Sequence, residues 1–245
     1  MQPTYIPWSG YFALMMEVDY FVFLDDVQLI QRSWHRRNRI KANNGERMLS
    51  IPVDVKNSKS DQIQDVLINN STDWNKKHLN FIKSDYHKSV HFDFFFQLMK
   101  EALEKPAEYL GAFNKNLILR IADFLNVSCK FMTSSSISAQ GTKVTKTIGI
   151  LKELGASKYL SPVGSFGYID ENNVFADHGV ELMYQNFTHP VYAQQHGDFI
   201  SHLSIMDMLF NQGIEAKELI AKGISKSYQH EELKSLLNEK QNQDQ

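Results

Sequence analysis

Residues 20–28 read YFVFLDDVQ, an aromatic and β-branched run that stops abruptly at two carboxylates and an amide. A run so short, and so rich in residues that suit a pleated surface, predicts a buried strand rather than a helix. CKFM at 129–132, KYLS at 158–161 and ELMYQNF at 181–187 have the same shape. Helix-length segments separate them. Residues 73–86, 91–104 and 108–125 read as helices, the third with Leu117, Ile121, Phe124 and Leu125 at helical spacing. A helix over 142–154 stops at Gly155, one from Ser204 to Asn211 is closed by Gly213, and another covers about 215–222. Strands alternating with helices predict an α/β fold built on a mainly parallel, Rossmann-like sheet flanked by helices. RMLSIPVDV at 47–55 and IQDVLI at 63–68 predict a small β-hairpin excursion, and HFDFFFQLM predicts the packed face of a helix. One domain is expected over 1–230, with a helical insertion at about 73–125 and a polar tail at 231–245.

The composition narrows the class. The 245 residues include 42% hydrophobic and 22% charged ones, with a formal net charge of -2. That is ordinary globular composition, and it supplies no overall electrostatic attraction to nucleic acid or an anionic membrane. Cys129 is the single cysteine, so an internal disulfide or cysteine zinc site is impossible and a reducing compartment is expected. The amino terminus lacks a basic region, and Glu17 and Asp19 interrupt its apolar stretch. A cytoplasmic location without membrane insertion is the expectation.

In an open parallel sheet, ligands bind beyond the carboxyl ends of the strands. The four exits here are DDVQ, TSSS, SPVGSFGY and THPVYAQQHGDF, all polar. Asp25 and Asp26 face opposite ways if extended, so one can orient a substrate amine while the other caps backbone. Two turn-forming aspartates are the competing reading, and Gln28 returns to the side of Asp26. QRSWHRRNRIK at 31–41 places Arg32, His35, Arg36, Arg37, Arg39 and Lys41 around Trp34 and Asn38, a pattern suited to the phosphate and stacked base of a nucleotide or to a phosphopantetheine arm, or else a solvated basic face. Ser161 and Gly164 lie in a loop able to present N–H groups to an anion, or in an ordinary glycine turn. His189, extended by Pro190, is the best general-base candidate, with Tyr192 and Gln194 alternating after it. His196 and His202 match no zinc spacing, and no metal site is expected.

The chain opens MQPTYIPWSGYF. Its prolines stiffen a loop, Gly10 allows close approach, and Tyr5, Trp8 and Tyr11 offer stacking surface beside Gln2. Core packing is the competing reading for Trp8 and Phe12.

These motifs together, the opening run, LDDVQ with its basic segment, YLSPVGSFGYID and HPVYAQQHGDF…LSIMDMLFNQG, resemble the WbqC-like protein family along essentially the whole chain. The resemblance carries over Gln2, Pro3, Tyr5, Pro7, Gly10, Tyr11, Asp25, Asp26, Gln28, Arg32, Asn38, Arg39, Lys41, Tyr159, Ser161, Gly164, His189, Pro190, Tyr192, Gln194, Ser204, Asp207 and Asn211. It implies a role in bacterial surface-glycan biosynthesis, for O-antigen or flagellin glycans. The implied activity is acyl or aminoacyl transfer to the amino group of a nucleotide-linked amino sugar. The resemblance assigns none of these positions a catalytic role; His189, Asp25 and Asp26 are the catalytic candidates on the residue reading above, no cofactor would be bound tightly, and the donor would be an acyl thioester of coenzyme A or an acyl carrier protein. Nucleotidyl transfer and non-catalytic binding of a sugar nucleotide or partner are the rival functions. Family members usually have a short apolar strand before the Gln-Pro pair; either the start at Met1 is late or this member lacks that strand, and its lack would leave an open sheet edge and a less firmly held Gln2 loop.

Overall fold

The computed structural model describes residues 1–30, 33–54, 61–169 and 174–243. In chain order the elements are α1 (Ser9–Met16), β1 (Tyr20–Phe23), β2 (Arg37–Ala42), β3 (Gly45–Ser50), β4 (Val53–Asp54), β5 (Leu67–Ile68), α2 (Trp74–Tyr86), α3 (Phe92–Glu104), α4 (Leu110–Phe124) and β6 (Lys130–Thr133). They continue with α5 (Lys143–Glu153), β7 (Lys158–Ser161), α6 (Phe166–Ile169), α7 (Val174–Asp177), β8 (Glu181–Phe187), α8 (Ile205–Gln212), α9 (Ala216–Gly223), β9 (Ile224–Gln229) and α10 (His230–Gln243). The chain divides into unit 1, Met1–Thr133 with His189–Ala221, and unit 2, Ser134–Thr188 with Lys222–Gln245.

The four apolar runs are strands, and they pair in parallel: β1 with β6, and β7 with β8. The result is a mixed α/β fold. The described strands form four small sheets, however, in place of one Rossmann-like sheet. In each parallel pair one edge has a further partner. The far edge of β1 is met by the chain start, whose Met1 ammonium donates to Val22 O and whose carbonyl accepts from Leu24 N–H, both at 2.8 Å. The far edge of β8 is taken by antiparallel β9, a strand the sequence reading missed. The basic segment is itself a strand, β2, which pairs antiparallel with β3, while β4 and β5 form the expected hairpin.

Local signals place the helices. The Ser204 hydroxyl accepts from Met206 N–H at 3.1 Å to cap α8. Gly155, at φ +61°, ends α5 in the left-handed region. Phe95, Met99 and Leu103 bury the inner face of α3, and Phe92 stacks on Phe210. In unit 2, Ile148, Leu151, Phe175, Leu182 and Tyr184 form a core that Leu233 of α10 joins, so the described part of the expected polar tail is a helix that packs through Leu233. Among the described residues no helix is long and apolar enough to cross a membrane.

The opening loop of unit 1 is clamped from β2. Asn38 donates to the carbonyls of Tyr5 at 3.1 Å and Ile6 at 2.8 Å, and its own carbonyl accepts from Arg39 N–H. This amide is wholly used within the fold, which corrects its expected role as a substrate contact. The clamp also explains Ile6, a β-branched residue at φ +36°. Such a conformation persists only where the surroundings over-determine it. Replacing Asn38 with Ala leaves two buried carbonyls unsatisfied, and the expected loss is about 2 kcal/mol of stability, read from the urea unfolding midpoint.

Candidate functional site

Unit 1 contains most of the expected site residues, and their partners separate scaffold from accessible chemistry. Lys41 is only 1% exposed. Its ammonium donates to Gln194 Oε1 and the Gly197 carbonyl, each at 3.1 Å, and to the Asp198 carbonyl. All three protons are used, so Lys41 holds down a loop and does not meet substrate. Gln194 is likewise spent: Oε1 also accepts from Ile200 N–H, and Nε2 donates to Ile200 O. Tyr192 donates to Asp207 Oδ1 at 2.9 Å, and Tyr86 to Asp207 Oδ2 at 2.7 Å while accepting Lys41 N–H. Burial raises the pKa of Asp207, and the two hydroxyls and Lys41 oppose that rise. Lys41, Gln194 and Tyr192 therefore form one scaffold, a correction to their reading as binding residues.

The opening loop turns inward in the same way. Tyr5 is fully buried, with its hydroxyl 3.0 Å from His78 Nδ1. Ser50 N–H donates to His78 Nε2, so Nδ1 carries the proton and donates to the tyrosine oxygen. Tyr11, also buried, donates to the Gln2 carbonyl at 2.9 Å. Gln2 Oε1 faces His35 Nε2 at 3.1 Å. The Gln2 loop is thus firmly held, against expectation, and Tyr5 and Tyr11 are core residues rather than stacking surface. Burial lowers the pKa of His35 and of His78 to about 4.

What remains accessible is an aromatic and histidine cluster. Trp8 stacks on His202 with centroids 4.9 Å apart and on His189 at 6.0 Å, and the two imidazoles lie 5.0 Å apart. Phe199 borders His189 at 5.8 Å. The close approach foreseen at Gly10 is real, but Trp8 makes it: a Cβ at Gly10 would come within 2.3 Å of the indole. His189 Nδ1 donates to the Pro190 carbonyl at 3.0 Å, which fixes the tautomer and leaves the lone pair on Nε2. Burial lowers the pKa of His189, a contact with Pro190 opposes this, and the neighbouring His202 adds to it. An imidazole held neutral with Nε2 as its base nitrogen can accept a proton near pH 7. His202, set aside in sequence because its spacing suits no metal, belongs to this cluster through ring contacts that sequence does not encode.

Beside the cluster, Arg39 Nη2 donates to the His202 carbonyl at 3.3 Å. Its Nη1 bridges both carboxylate oxygens of Glu46, at 2.8 and 2.9 Å. Asp25 is buried and Asp26 half-buried at the exit of β1, where the Asp25 carbonyl accepts from Gln64 N–H. Gln28 is exposed and bridges antiparallel to Gln62. Ser161 and Gly164 belong to unit 2. There the buried Ser161 hydroxyl donates to Ser165 at 2.6 Å, because Ser165 gives its own proton to the Pro162 carbonyl. Arg32 lies outside the described residues. His196 Nε2 donates to the Asp85 carbonyl at 2.7 Å. Among the described residues no three acidic, histidine or cysteine side chains could jointly hold a metal. A surface cleft of about 460 Å³ runs between β3 and α2 over His78, Trp74 and Phe81, but both His78 nitrogens are engaged.

The model of the WbqC-like protein family matches residues 2–219. An "uncharacterized protein Rv1507c" of Mycobacterium tuberculosis is 32% identical over 222 residues, covering 90% of this chain and 95% of that protein. No solved structure matches.

The two buried histidines set a pH dependence. With folded values near 4 against an ordinary 6.5, the unfolded chain binds more protons between those limits, so stability falls as the pH drops through that window. The loss is at most roughly 3 kcal/mol per imidazole. Urea titrations at pH 7 and pH 4.5 should show it, and His78→Gln should flatten the dependence relative to the parent chain.

Proposed function

The chain belongs to the WbqC-like protein family, and on that premise we propose that it acylates the amino group of a nucleotide-linked amino sugar during synthesis of a bacterial surface glycan. The observation that supports this reading is the state of His189: neutral, with Nδ1–H tied to the Pro190 carbonyl and the Nε2 lone pair beside an aromatic shelf. A sugar ring rests on Trp8 through its apolar face, the kind of contact aromatic side chains favour. The amine attacks the carbonyl of an acyl thioester; the C–N bond forms, the C–S bond breaks, and His189 Nε2 takes the amine proton and returns it to the leaving thiolate. Coenzyme A and acyl carrier protein are the donor classes.

Incubation with a panel of amino-sugar nucleotides and acyl thioesters should give the amide, detected by mass. His189→Ala should lower its rate roughly 10²–10⁴-fold. The parent rate should fall only below pH 6.5, because His189 must be unprotonated and its pKa lies below that ordinary value. A panel that binds without forming amide would turn the reading to a non-catalytic binding module, and full activity in His189→Ala would remove the base.

A further inference from the structure

We propose that Trp34 and Arg37 form the anchor for the nucleoside diphosphate of that substrate, a role that rests on the nucleotide-linked reading above. Alternation along β2 puts Arg37, Arg39 and Lys41 on one face. Their fates differ. The Lys41 ammonium is consumed by three oxygens, and the Arg39 guanidinium is neutralised by Glu46. The Arg37 side chain has no hydrogen bond or ion pair to any described residue. It keeps a full positive charge and both terminal nitrogens for an incoming anion, and its Nε is already shut away from water without an acceptor.

Trp34 stands beside it. The indole is 48% exposed, the Arg37 guanidinium carbon lies 5.9 Å from its ring centroid, and that of Arg39 lies 5.6 Å away. Its backbone is fixed, since Trp34 O accepts from Tyr5 N–H at 3.0 Å. An exposed indole costs hydrophobic free energy in the free protein, and the half left to solvent is a stacking surface for a planar base. An unneutralised guanidinium at the same ring offers paired donors for phosphate. Base and phosphate on one molecule satisfy both groups together.

The anchor is continuous with the proposed base. Arg39 Nη2 reaches the His202 carbonyl, His202 stacks on Trp8, and Trp8 stacks on His189. A nucleotide held at Trp34 and Arg37 therefore directs its sugar along this surface towards His189.

Calorimetry on the full chain tests the anchor with uridine, guanosine and thymidine diphosphates, uridine alone, and inorganic pyrophosphate. At least one diphosphate should bind, and Trp34→Ala and Arg37→Gln should each weaken it about tenfold or more. Trp34→Phe should retain most of the affinity. Arg37→Gln should weaken pyrophosphate while Trp34→Ala leaves it unchanged, and uridine should show the reverse. Arg120→Gln, which removes an exposed charge paired with Glu101, should alter none of these. Thermal unfolding verifies that both variants fold, as expected of partly exposed side chains. Diphosphate binding that is absent, or indifferent to both substitutions, overturns the anchor. Intact, substitution-sensitive binding with no amide formed in any panel overturns the transfer reading instead, so the two failures are distinguishable.

Discussion

A buried charge on β2 organises unit 1. Removing the Lys41 ammonium from water costs several kcal/mol, and only well-placed oxygens offset it. Gln194, Gly197 and Asp198 supply them, all from the segment 189–203. The opposite charge, Asp207, is buried completely and satisfied by Tyr86 and Tyr192, the first of which also caps the Lys41 backbone N–H. Lifting that segment from the strand would strand both ions, so the segment stays down. His189, Phe199 and His202 are carried on it, and their place against Trp8 is a consequence of how Lys41 is solvated.

The same constraint explains the loop's backbone. His196 and His202 sit at φ +62° and +57°, where non-glycine residues are strained. His196 is tied to the Asp85 carbonyl, and the residue after Leu203 is fixed by Ser204 N–H donating to Arg39 O. On the other side, Asn38 holds Ile6 in its left-handed turn, and Ile205 N–H reaches the Pro7 carbonyl. The opening loop and α8 thus meet at β2, a rigid junction that holds the proposed base in place.

Much of the secondary structure was legible because it depends on local pattern. Each of the four apolar runs is a strand, the Ser204 cap and the Gly155 stop are where the residue types demand, and the Phe run does turn Phe95 inward. Partners were not legible. Tyr5, Tyr11, Asn38, Lys41, Tyr192 and Gln194 have the chemistry of binding residues, and polar groups with that chemistry serve equally well to satisfy buried neighbours. His189 was a candidate from its place before Pro190 and its titration range, and Trp34 with Arg37 from the basic segment they share, whereas His202 came into view only through the rings that surround it.

The sequence by itself determined where most of the strands and helices form, which residues could titrate or bind an anion, and the resemblance that led to the family. Tertiary structure alone decided which of those groups are spent. Lys41 and Gln194 are 153 residues apart, and Tyr86 and Asp207 are 121 apart. Periodicity extends over a turn or a strand, so it cannot report pairings at that range. The reason is physical: a side chain's role follows from whether its charge or lone pair is already satisfied, and in this chain that is settled by residues brought together only when it folds.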